Sequence, residues 1–431
     1  MLTRRTNQTD ATDAMNLRKY FFAYAALVAG LMLFSTGLAS AQAVGVLERE
    51  RPAYDSKGIP LGGFRLYPQL NFDTAYDDNV FRLPAAQSDW YFRETPVLRL
   101  RSQWGQHFLE VFGGADNYNY ARFSSLDLTD WNIGAAGRYD IARGVSVAGT
   151  NTYGEYHEAL YSPNTVGSQI SPTRFHKNHS EVTASYHPAS LGIGAGFSVD
   201  RLTYASVPLL GGGFNGNTDR NQKQYQAYVR ASYDFSPGYS AFVKATYDSR
   251  VHDQFLDRSG FHKSSNGVRL DGGVDLQITN LIDGEIFVGY LEQHYAQNVL
   301  KPLQNISGLD YGGQLNWYPT QLMTVHLTAS HTISDVIISG VSASEDESAK
   351  LSAEYELGYN LIAQAYSEYT HSHLQGSSRS DDYPSAGISL KYFMNEYLSA
   401  NLSYGYSERS SNIATANYQD NMISFRITGH I

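Results

Sequence analysis

Apolar residues recur at every second position along most of this chain, and no other sequence feature constrains its fold as strongly. The clearest instance runs from Tyr225 to Tyr247. Tyr225, Ala227, Val229, Ala231, Tyr233 and Phe235 fall on one parity; Gln226, Arg230, Ser232 and Asp234 fall on the other. Ser236-Pro237-Gly238 then turns the chain, because Pro presets φ and Gly accepts a positive one. Ala241, Val243, Ala245 and Tyr247 continue the apolar face against Lys244, Thr246 and Asp248. Alternation on both sides of a tight turn predicts an antiparallel hairpin. Small and β-branched residues with Tyr at the tips suit a strand pair between lipid and water.

The unit recurs about eight times at a spacing of roughly 40 residues, enough for two spanning strands and their connections. Turns are expected near Gly105, Ala142-Arg143-Gly144, Pro188-Ala189, Pro237-Gly238, Asp283-Gly284, Pro319-Thr320, Gly358-Tyr359-Asn360 and Asn395-Glu396. Aromatic residues such as Trp104, Tyr139, Tyr186, Trp317 and Tyr397 flank most of them. Longer polar connections, among them 208–220 and 252–266, separate the units. Short turns at one end and long loops at the other are the asymmetry of an outer-membrane barrel.

Eight hairpins with a first strand beginning at Phe64 and a last strand ending at Ile431 predict an all-β, transmembrane, antiparallel up-and-down barrel of about 18 strands (16–20) over residues 63–431. The last strand carries Ile423, Phe425, Ile427, Gly429 and Ile431 on one face. An even strand number places both termini in the periplasm. Lipid demands closure, since an open edge would leave backbone groups unpaired. Glu94, on the outward parity of the second strand, is the exception, expected near the headgroups or at a bulge.

Residues 1–41 read as a secretory signal peptide, with Arg18-Lys19, an apolar core from Phe21 to Phe34 and Ala39-Ser40-Ala41 for cleavage. Asp10 and Asp13 are foreign to such a segment, so translation is expected to start at Met15. Residues 42–62, punctuated by Pro52, Pro60 and Gly62, read as a periplasmic segment that either tucks into the barrel mouth or hangs free. The chain has no cysteine, which excludes disulfides and thiol chemistry, and a net charge of −10, which gives no support to nucleic-acid binding.

The stretch RERPAYDSKGIPLGGFRLYPQL, followed by YDDNVFR, resembles the opening of the putative beta-barrel porin 2 family over Arg49 to Arg82. The resemblance implies an outer-membrane barrel in a Gram-negative cell and a role in passive transport or exopolysaccharide export, several members being encoded beside exopolysaccharide or capsule genes. It carries no site residues. The terminal strand implies contact with the barrel-assembly machinery, although Ile431 stands where an aromatic residue is usual.

Chemistry-bearing groups are sparse. His371-Ser372-His373 could place two imidazoles on one strand face, but no further metal ligands are signalled, and no G-x-S-x-G elbow is present. The glycine-rich run from Gly211 lacks a phosphate-binding ending. Acidic clusters at Asp77-Asp78, Glu345-Asp346-Glu347 and Asp381-Asp382 are expected in outer loops, as solvated charge or as Ca²⁺ partners of lipopolysaccharide phosphates. The expectation is therefore no enzyme, no cofactor and no metal. A conduit is preferred, with an occluded structural or adhesion barrel as the alternative and a barrel hydrolase behind it. Arg65, Arg99, Arg101 and Arg426 are expected together near the periplasmic mouth, and Arg138, Lys244 and Lys391 share their inward parity. They would either form wall salt bridges or attract an anionic solute or polysaccharide; polysaccharide-export proteins are possible partners.

Overall fold

Every alternating segment forms a strand, and each strand pairs antiparallel with its sequence neighbours. The structure, a computed structural model, describes residues 44–158, 162, 164, 169–278 and 281–431. The signal peptide and the Met15 start fall outside the described residues. Eighteen strands build the wall, from Phe64–Asp77 to Tyr418–His430. The shortest, Met323–Ser334, has 12 residues, and the longest, such as Gln222–Ser236, have 15. Phe64–Asp77 pairs with Asp89–Ser102 on one edge and with Tyr418–His430 on the other, from Gln69↔His430 to Asp77↔Met422. The wall is thereby closed, and no strand edge faces lipid.

Parity sorts the faces as expected. Phe72, Phe92, Val229, Leu270 and Ile388 lie exposed on the outside, whereas Asn71, Asp73, Asp271 and Glu354 on the opposite parity are buried within. Aromatic pairs mark both rims: Phe64 and Trp104, 5.4 Å apart, at the short-turn end, and Tyr76 and Trp90, 5.3 Å apart, at the long-loop end. Glu94 stays in unbroken register opposite Phe72. It therefore lies on the outer wall without a bulge.

The turns expected near Asp283-Gly284 and Pro319-Thr320 close between Ile278 and Ile282 and between Thr320 and Met323. Gly284 itself lies in strand Ile282–Tyr295, where a Cβ would clash with the Gln314 carbonyl oxygen of the adjoining strand. One sequence expectation needs correction: two of the three acidic clusters are not loop charge. Glu345–Glu347 and Asp381–Asp382 open strands Ser344–Gly358 and Ser380–Phe393, because the strands outrun the apolar belt.

The buried apolar clusters lie at the two mouths. Val46 packs with Ile362 and Phe393 at the short-turn end. At the other end Leu291, Tyr295, Leu303 and Ile333 form one cluster, and Val336, Val341 and Leu374 another. Each includes residues from outside the wall strands, so chain segments have folded onto the barrel's inner surface.

Candidate solute pathway

At the long-loop end, the connection 335–343 leaves strand Met323–Ser334 and turns inward. Asp335 reaches His252, Nε2 to Oδ2 at 3.3 Å, and accepts a hydrogen bond from the Gln222 amide at 3.0 Å. His252 ends strand Tyr239–His252, which is separated from Met323–Ser334 by three strands. Four strand spacings of ~4.8 Å put these strands roughly 19 Å apart along the wall. Arg250 donates to the Ile333 carbonyl at 3.0 Å, Lys263 to those of Val336 and Val341, and the Ile337 N–H to Asn164 at 2.9 Å. The connection therefore spans part of the mouth. Burial disfavours the charged form of Asp335, but the His252 hydrogen bond and the charges of His252, Lys263 and Arg250 outweigh it and hold its pKa at about 2. Burial also lowers the pKa of Lys263.

At the short-turn end, residues 44–58 fold inward and bond to the wall. The Val46 N–H donates to Thr324 Oγ1 at 2.9 Å and the Leu47 N–H to Glu354 at 3.1 Å. Arg49 and Arg51 both hold Glu356 at 3.0 Å. Arg51 also donates to the Tyr359 carbonyl and lies 5.5 Å from the centre of the Phe393 ring. All these partners belong to the strands from Met323 to Phe393 or their turns. The opposite wall keeps a concavity of about 640 Å³ lined by His187, Arg230, Asp234 and Asp275.

The seven basic residues named from the sequence face inward but do not gather. Arg65 is the direct cross-strand partner of Arg101. Arg426 is the partner of Asp73, not a neighbour of Arg65. The first strand starts several residues below the end of the last, a stagger that alternation alone does not reveal. Three are neutralised on the wall: Arg101 by Glu110 at 2.7 Å, Arg138 by Asp140 at 2.7 Å and Arg426 by Asp73 at 2.7 Å. Arg65 donates to the Lys57 carbonyl, Lys244 lies over Tyr228, and Lys391 lies over Phe393 with 4.8 Å to the ring centre. Arg99 is exposed to the lumen. The sequence reading missed Arg51 and Asp335. The apolar run Val336-Ile337-Ile338 inside a connection was the available signal, since a solvated loop has no use for it.

Two clusters near the long-loop end resemble chemical sites, the first on the outer face and the second on the lumen side. Ser380 Oγ is 3.5 Å from His371 Nε2, and His371 Nδ1 is 2.7 Å from Asp382. The order is that of nucleophile, base and orienting acid, but the Ser380 N–H is already donated to Asn412 at 3.2 Å and is not available to an oxyanion. Asp77, Asp78 and Asp420 place carboxylate oxygens within 4.8 Å of one another, and Arg82 bridges Asp77 and Asp420, placing a guanidinium where a cation would sit.

Comparison with known proteins gives one family and a set of solved barrels. The family model described as putative beta-barrel porin 2 matches residues 51–430. Among solved structures, a BenF-like porin from Pseudomonas fluorescens Pf-5 is 10% identical with a TM-score of 0.48, covering 86% of this chain and 100% of that one. OccAB2 of Acinetobacter baumannii is 12% identical with a TM-score of 0.46, covering 85% and 98%. OpdL of Pseudomonas aeruginosa is 11% identical with a TM-score of 0.43, covering 86% and 99%. Among curated protein sequences there is no match.

Proposed function

The chain belongs to the putative beta-barrel porin 2 family, and from that premise we propose that this outer-membrane barrel is a constricted diffusion channel for small polar solutes. The observation that carries the reading is the tie of Asp335 to His252 and Gln222 across the long-loop mouth. An eighteen-stranded wall encloses a wide lumen, and the 335–343 connection narrows it on one side while residues 44–58 narrow it on the other. Single small molecules can pass beside such inserts, whereas an exopolysaccharide chain would need both displaced. The short-turn end is assigned to the periplasm and the long-loop end to the exterior, with both termini periplasmic. The strand Tyr418–His430 would meet the assembly machinery, and the outer wall would meet lipopolysaccharide. In planar bilayers the protein should show discrete small conductance steps. Proteoliposomes should swell with monosaccharides and amino acids but not with oligosaccharides of increasing length. Silent bilayers and no swelling would replace the conduit by the occluded-barrel reading.

A further inference from the structure

Within the lumen, strand register assembles a row of unlike polar groups. Lys391 is the direct partner of Asn401, Asn401 of Arg426 and Arg426 of Asp73. Direct neighbours on one face of a sheet bring their Cβ atoms to roughly 5 Å, so Lys391 and Arg426 flank the Asn401 amide with a cation on each side. The row above is Gln364, Ser389, Ser403 and Ser424, and the row below is Phe393, Ser399, Thr428 and Asn71. All of these but Asp73 and Ser424 line a cavity of about 650 Å³, which Lys350 and Glu354 also border, within the volume range of small-molecule sites. Phe393 and Arg51 brace it from the lead-in side, with Arg51 and Lys391 both stacked on the Phe393 ring.

The two cations differ in state. Arg426 already donates through Nε to Asp73 at 2.7 Å. Lys391 has no carboxylate within ion-pair distance among the described residues, and it feels the charges of Arg51, Arg426 and Asp55. A cation with no carboxylate in contact can take an anionic partner. The hydroxyl and amide groups of the flanking rows supply donors and acceptors for a hydroxylated body, and Tyr366, exposed in the lumen, offers an apolar surface for the C–H side of a ring.

We propose that this cavity is a saturable binding site for a small hydroxylated carboxylate of the hexuronic acid type, with its carboxylate on Lys391 and its hydroxyls on Asn401, Ser389, Ser403 and Gln364. The proposal rests on the conduit reading for its use, but its binding test does not. Sodium glucuronate is titrated against the detergent-purified protein by calorimetry, with glucose as the neutral comparison. Glucuronate should bind saturably and glucose at least tenfold more weakly. Lys391→Gln should weaken glucuronate at least tenfold, Lys391→Arg should largely retain it, and Lys244→Gln, on a distant strand, should change nothing. Lys391→Gln removes no ion pair, and equal heat-modifiability of the variant on a gel certifies its fold. Equal affinity for glucuronate and glucose, or an unchanged affinity in Lys391→Gln, overturns the site. Glucuronate should also block the small-ion current in a bilayer with the same dependence on Lys391. Binding in a protein that never conducts would sustain the site and refute the conduit.

Discussion

Asp335 and His252 meet at 3.3 Å although three strands of the wall separate the elements that carry them. The contact can form only through the lumen mouth, and it makes the 335–343 connection a clamped insert rather than a free loop. The pKa of Asp335, held at about 2, gives the clamp a pH signature. A carboxylate whose pKa is depressed by folding contributes stability above its unfolded value, near 3.9, and loses that contribution as pH falls toward the folded value. The contribution at neutral pH is ~2 kcal/mol. Channel conductance should therefore stay constant from pH 7 to 4 and rise below about pH 3. Asp335→Asn should show the raised conductance already at neutral pH. A flat profile in both proteins would mean that the insert is held by Lys263 and the apolar contacts alone.

The lead-in segment supplies a second test. Arg51 is 1% exposed and shares Glu356 with Arg49. Removing one member of a buried pair costs about 3–5 kcal/mol because a charge is left uncompensated; Arg49 remains, which puts Arg51→Ala at the low end. The strain should fall on the segment, not on the barrel, whose ladders do not use it. Protease sites near Arg49 should become accessible while heat-modifiability on a gel is unchanged. Loss of the folded barrel itself would show that the segment is part of the wall's stability.

Much of this architecture was legible in the chain. The eighteen strands, the two faces and the outward position of Ile427 follow from parity, because a lipid-facing barrel enforces alternation more strictly than a soluble sheet does. What could not be read is whatever depends on stagger or on reach across the lumen. Arg426 meets Asp73 instead of Arg65 because of the stagger between first and last strands. Gly284 and Pro319 mark the neighbourhood of their turns without forming them, Gly284 serving close strand packing and Pro319 standing at a strand end. Asp335 lies 113 positions from Gln222 and Arg51 lies 305 positions from Glu356 in the chain. No local pattern encodes such partners.

The closing strand tests the register directly. Ile427 is exposed on the outer face between Phe72 and Ala400, whereas Ser424 faces inward with its hydroxyl 2.6 Å from that of Ser403. Ile427→Lys should cost about 2–4 kcal/mol if it lies at the bilayer midplane and less toward either interface. Ser424→Lys should be tolerated. Refolding titrations in lipid vesicles would read both, and equal costs would imply a one-residue slip, which exchanges the faces.

The basic residues of the first two strands offer a test of the charge preference of the short-turn mouth. Arg101 is neutralised by Glu110, and Arg426, farther along the wall, by Asp73. Arg65 donates to a backbone carbonyl and Arg99 lies exposed in the lumen, so these two are the cations that should act on a passing ion. Changing Arg65 and Arg99 to Ser should move the reversal potential in a salt gradient toward neutrality. Adding Arg101→Ser and Arg426→Ser should carry it on to cation preference, because Glu110 and Asp73 are then unmasked. Both shifts should shrink between 0.1 M and 1 M salt, as the screening length falls from about 10 Å to about 3 Å. The double variant should keep its heat-modifiable mobility, since neither residue is tied to a carboxylate among the described residues. A reversal potential that does not move in a correctly folded Arg65→Ser, Arg99→Ser protein would make the mouth electrically neutral. An anion preference would then have only the Lys391 row to rest on.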